Sequence, residues 1–107
     1  MTPSEPDWTI GGIRDAVLLA RLRRWADEAL VWGIGPSYQA AISEMRRGLT
    51  TDPLAWGDPL YNTPVLGTTT LHRGIFPIVV TYTVHPTARA VWVMNFQPYP
   101  DSGLSED

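Results

Sequence analysis

Few side chains in this sequence could handle a proton or a phosphate, and His72-Arg73 is the best polar pair. Histidine exchanges a proton near neutral pH, and arginine grips a phosphate through two parallel N–H groups. The pair follows the β-branched run "TTTL" and precedes Gly74, so it is expected at the end of a strand. Tyr82 or Tyr99 could join it as the acid–base hydroxyl of a nuclease-like site. The plain alternative is a solvated hairpin end. His85, before Pro86, could share a metal ion with His72, but no acid or third ligand has matching spacing. No metal and no cofactor is expected. Arg46-Arg47 and the group Arg21, Arg23 and Arg24 could meet phosphate or an acidic peptide. Asp27, Glu28 and Glu44 are close enough in sequence to make them an ordinary solvated face instead. Of the five tryptophans, Trp8 and Trp56 are the least constrained by pattern, and Trp56 joins Arg46 and Arg47 as a candidate partner-binding residue. Nothing resembles a phosphate loop, a nucleophile elbow or a Ser/His/Asp arrangement.

Whatever positions these residues must fit in 107 residues, the length of one domain. No apolar run approaches the roughly 18 residues a membrane helix needs, and "MTPSEPDW" lacks the basic start of a signal peptide. No membrane association and a cytoplasmic location are therefore expected. The absence of cysteine removes disulfides, thiolate chemistry and cysteine-bound zinc, and the absence of lysine leaves arginine as the only fixed cation. The net charge of −3 is unevenly spread. Glu5, Asp7, Asp101, Glu106 and Asp107 lie in the first or last seven residues, so residues 8–100 carry eight Arg against six acids. A weakly basic body with acidic ends disfavours tight nonspecific binding to nucleic acid.

Residues 1–7 read as a disordered tail, 8–99 as one domain and 100–107 as an acidic C-terminal tail that frays. "WTIGGI" at 8–13 could be a short strand or a cover for the core. Leu18, Leu22, Trp25, Ala29 and Trp32 recur at spacings of four, three, four and three, one face of a helix over about 14–32. "GIG" at 33–35 stops it. Pro36 opens a second helix to about residue 48, with Tyr38, Ala41, Ile42, Met45 and Leu49 as its stripe and Gly48 as its cap. The short link predicts an antiparallel hairpin. The period then changes to two. Ile78, Val80, Tyr82 and Val84 share one strand face, and Ala90, Trp92, Met94 and Phe96 share another. The sequence predicts an α+β fold: a helical hairpin packed on a three- to four-stranded antiparallel sheet.

Between the halves lies "GLTTDPLAWGDPLYN", residues 48–62, a connection with two Asp-Pro pairs and two large aromatics. The prolines restrict the unfolded chain, and each preceding aspartate is pushed toward extended backbone. Trp56 and Tyr61 are expected to close one end of a core that is short of apolar area.

Helix, helix, "DP…G.P" and three strands is the order seen in the RelE/ParE toxin superfamily. The loop above, Gly74, "VVTYTV" at 79–84 and "AVWVMNF" at 90–96 carry the resemblance, which covers about residues 14–99. It implies a toxin-like component of a type II toxin–antitoxin system, of the kind linked to plasmid stabilisation, with a small antitoxin protein as partner. Its target would be DNA gyrase, reached by binding alone, or the ribosome, where it would act as a ribosome-dependent mRNA endonuclease with His72, Arg73 and Tyr82 or Tyr99 in the site. Two departures weigh against cleavage. Val79 stands where the family pattern has a strand arginine, and the basic end of the last strand is replaced by "FQPYP". Binding, or a descendant that has lost toxicity, is therefore the favoured expectation. The remaining alternative is an unrelated small interaction domain.

Overall fold

The computed structural model describes residues 8–12 and 15–105; the N-terminal tail expected at 1–7 lies outside them. In chain order the elements are β1 (Thr9–Gly11), α1 (Ala16–Val31), α2 (Gly35–Thr51), α3 (Pro53–Trp56), β2 (Asp58–Thr63), β3 (Thr68–Ile75), β4 (Ile78–His85) and β5 (Ala90–Pro98). The fold is α+β.

The helical hairpin forms as its sequence dictates. The Asp15 carboxylate accepts from the Val17 and Leu18 N–H groups at 2.9 and 3.2 Å, which caps α1. Gly33, at φ 75°, turns the chain out of it. Pro36 sits in the first turn of α2. The Tyr38 hydroxyl donates to the Leu22 carbonyl at 2.7 Å and ties the two helices together. Leu18, Trp25 and Ala29 of α1 and Tyr38, Ala41, Met45 and Leu49 of α2 are buried. Trp32 departs from the expected stripe. It is the residue on which α1 ends, and it stands 63% exposed.

The sheet has five strands in the order β1-β5-β4-β3-β2. It is mixed, not antiparallel throughout, because β1 runs parallel to β5 while every other pair is antiparallel. Two strands join the expected three of the meander, which gives one more than the largest expected count. "TIG" forms the edge strand β1, and half of the proline-rich connection pairs with β3 as β2. That pairing moves Tyr61 off the core. It lies 60% exposed on an edge strand and does not close the core as expected.

Ile78, Val80, Tyr82 and Val84 are buried beneath the helices, as the period-two pattern predicts. In β5 the pattern breaks. Tyr82 pairs with Val93 but Thr81 pairs with Asn95, so Met94 is an extra residue, a β-bulge. Alternation changes phase there. Val91, Val93 and Phe96 are the buried residues, while Trp92 and Met94 are exposed, contrary to the expected face.

The segment after β5 is the other correction. Residues 100–105 do not fray but fold back onto α1. Leu104 is buried, the Trp25 indole N–H donates to the Ser105 carbonyl at 2.8 Å, and Glu28 accepts from the Ser105 N–H and hydroxyl, both at 2.8 Å.

Candidate functional site

The connection from α2 to β2 builds a place where several of the singled-out residues meet. Asp52 ends α2, Pro53 opens the single turn α3, and Gly57 leads into β2. This short path drops the Trp56 ring onto α2 at Gly48. A Cβ at residue 48 would stand 2.2 Å from the Trp56 ring, so only glycine leaves the ring room. Gly48 was expected to cap the helix; α2 instead runs on to Thr51. Gly57 does the same for Tyr82, whose hydroxyl would lie 2.5 Å from a Cβ at residue 57.

Trp56 is 6% exposed, as expected of a core closer. Its indole N–H donates to Glu44 Oε2 at 3.0 Å, and its ring lies 5.9 Å from that of Tyr82. The Arg73 guanidinium sits 5.1 Å from the ring centre and donates to the Trp56 carbonyl. Arg47 grips both carboxylate oxygens of Glu44. Glu44, Arg47, Thr51, Asp52, Trp56 and Arg73 line a cleft of about 280 Å³. Tyr82 lies below it, its hydroxyl donating to the Pro53 carbonyl at 2.6 Å.

The electrostatics follow from these bonds. Hydrogen bonds from Arg47, and then from the Trp56 indole, hold the Glu44 carboxyl down to about 2. The same carboxylate raises the Arg47 guanidinium. Burial pushes the Tyr82 hydroxyl up to about 12, which suits it to a fixed structural bond and not to proton transfer near neutral pH. A pH effect follows. Glu44 titrates at an ordinary 4.5 when unfolded and at about 2 when folded, so its stabilising contribution is complete above about pH 4.5 and disappears as pH falls toward 2. In thermal melts, Glu44→Gln is expected to lower Tm at neutral pH, and its gap from the parent chain to close between pH 4.5 and 2. A constant gap across that range would show that Glu44 does not titrate this way.

The four candidate catalytic residues do not converge. His72 and Arg73 are adjacent in the middle of β3, not at a hairpin end, and adjacent strand residues point to opposite faces. Arg73 shares the helix-covered face with Leu71 and Tyr82. His72 is on the bare face, opposite Asp58 on one side and Thr81 on the other. Tyr99 also lies on the bare face, its ring 3.0 Å from where a Cβ on Gly74 would stand and edge-on to Phe76 at 5.9 Å. The chain thus splits into Arg73 with Tyr82 and His72 with Tyr99.

The remaining arginines are largely committed. Arg21 donates to Asn95 Oδ1 and the Phe96 carbonyl, both at 2.8 Å, which covers the β5 edge beside the bulge. Arg24 faces Glu28 at 3.5 Å. Arg46 is exposed on α2 beside Arg47. His85 accepts the Ala88 N–H on Nδ1 at 3.1 Å and lies four residues along β4 from Thr81, the partner of His72. Among the described residues no three His, Asp or Glu side chains gather to hold a metal, and no helix is long and apolar enough to cross a membrane.

The roles of Glu44 and Gly48 escaped the sequence reading. Glu44 stands at i−3 from Arg47, a visible helical pair, but its bond to Trp56 depends on a turn that periodicity does not encode. Comparison with protein-family models, curated proteins and solved structures finds no match for this chain.

Proposed function

We propose that this domain works by binding another protein, as a divergent RelE/ParE-like, toxin-like component of a toxin–antitoxin pair or a descendant that has lost toxicity. The order of a helical hairpin followed by a strand meander supports the family part of the reading. The observation that carries the binding part is the division of His72 and Tyr99 from Arg73 and Tyr82 by the thickness of the sheet. Phosphoryl transfer needs positioned cations beside the acid–base group, and loss of one such donor costs about 10²–10³ in rate. On the bare face His72 has no arginine among its cross-strand neighbours. On the covered face Arg73 and Tyr82 donate to the carbonyls of Trp56 and Pro53. Arg46, Arg47 and the rim of the Trp56 cleft form the contact surface, and an acidic peptide of a small antitoxin is the complementary partner. Gyrase is the target class that needs no catalytic constellation.

Induced expression is expected to arrest growth with cellular transcripts intact, and Arg46→Glu with Arg47→Glu to abolish capture of the antitoxin. Normal growth together with no antitoxin-like protein encoded beside the gene would remove the toxin reading. The second reading, cleavage of mRNA on the ribosome, is favoured by His72 and Tyr99 sharing a face. Codon-specific cuts on translating ribosomes, lost in His72→Ala, would replace binding with catalysis.

A further inference from the structure

The helices cover one face of the sheet, and among the described residues no helix covers the other. Side chains on the bare face follow from the register. The row Tyr61, Thr70, Thr83, Trp92 and Gly11 crosses all five strands, with the two threonine hydroxyls bonded at 2.9 Å in its middle. The next row is Asp58, His72, Thr81 and Asn95. Among the described residues the strands supply this face with one carboxylate, Asp58, and no arginine. Two large aromatics, Tyr61 and Trp92, stand at its two sides with more than half of their surface in water.

Trp92 is held, not loose. A Cβ at Gly11 would lie 2.3 Å from its ring, so the indole rests against the β1 backbone while more than half of its surface stays exposed. Beside it is an apolar cleft of about 250 Å³ lined by Thr9, Thr68, Thr83, His85 and Ala90. A rigid aromatic next to a cleft is self-complementary under a two-fold axis, since each copy offers the ridge that fills the other's hollow.

We infer that this face is a homodimer interface, closed by the same face of a second copy. The two sheets then stack about 10 Å apart with strands crossing at about 30°, and each domain becomes half of a helix–sheet–sheet–helix sandwich. Area supports a second copy as the occupant. Strands of three, six, eight, eight and nine residues at about 3.3 Å per residue, set about 4.8 Å apart, give a footprint of roughly 500 Å². Two footprints reach the order of 1,000 Å² at which a specific interface begins. Charge supports it as well. Among the described residues the strands place no arginine on this face, so stacking brings no strand arginines of the two copies together. The inference does not rest on a toxin-like role.

Sedimentation equilibrium tests it. The mass is expected to rise from the 11.9 kDa of one chain toward twice that as concentration increases through the micromolar range. Trp92→Glu should hold the chain at one copy with its circular dichroism unchanged. Tyr61→Glu, on an exposed edge strand where folding is not at issue, should do the same, while Val31→Glu on the helical side should leave the dimer intact. A parent chain that stays at 11.9 kDa up to submillimolar concentration overturns the inference. So does a dimer that survives both bare-face substitutions, or a single-copy chain whose Trp92 fluorescence is quenched by a single-stranded RNA oligonucleotide.

Discussion

Trp56→Ala is expected to cost about 3–5 kcal/mol of folding stability, the range for emptying a buried aromatic site. The ring is nearly enclosed by Gly48, Tyr82 and Arg73, so its removal leaves a void that α2 and β3 are too rigid to fill. It also takes away the indole donor on which Glu44 rests. Urea unfolding measures the loss directly, as a fall in midpoint at unchanged slope. Trp56→Phe separates the parts, because it keeps most of the ring volume and loses only the N–H. A loss below about 1 kcal/mol for Trp56→Ala would mean that the cleft collapses freely and that the connection is not part of the core.

Cutting the chain after Asp101 is the second large change, with an expected loss of about 3–5 kcal/mol. Leu104 is buried, and burial of a leucine side chain accounts for about 2–5 kcal/mol when it is reduced to alanine. The cut also removes the Ser105 carbonyl, leaving the fully buried Trp25 without the acceptor for its indole N–H at a cost of about 1–3 kcal/mol. Glu28 loses both contacts to Ser105. Leu104→Ala alone should give much of the effect, and exchange of the Trp25 indole hydrogen should quicken by orders of magnitude in the shortened chain. If the shortened chain unfolds at the parent's midpoint, the segment does not dock in solution.

Periodicity was a sound guide where one residue followed the next without insertion. Leu18, Trp25 and Ala29 in α1, Tyr38, Ala41, Met45 and Leu49 of the α2 stripe and the alternate residues of β4 are buried as their spacing requires, with Ile42 partly buried beside them. It failed at points where geometry adds or removes a residue of phase. The Met94 bulge has no sequence mark of its own, since "AVWVMNFQ" alternates plausibly in either phase, and Trp92 looks more like a core residue than Val93 does. The C-terminal segment departs from what its composition suggests for a similar reason. Its prolines and acids resemble a tail, but one leucine and one backbone carbonyl suffice to dock it. The burial of Trp56 was legible in the stiffness of its connection. The company it keeps was not, because Glu44 and Arg73 reach it across 12 and 17 residues of chain. His72 and Arg73 looked like one site because they are neighbours in sequence. In a strand, that is the arrangement that separates them.

The parallel pairing of β1 with β5 sets a clock on the birth of the molecule. Thr9 pairs with Ala90 and Gly11 with Trp92, contacts spanning 81 residues, and β5 lies between β1 and β4. During synthesis the helical hairpin emerges with its apolar stripe and has no complete sheet to cover it until the last strand is made. At about 5–20 residues per second, that interval is several seconds for a chain of this length. The nascent chain therefore spends most of its synthesis with Trp25, Tyr38 and Met45 lacking their final cover. Folding is a late event, governed by long-range closure and not by local propensity, and the interval before it is when the chain most needs protection from aggregation.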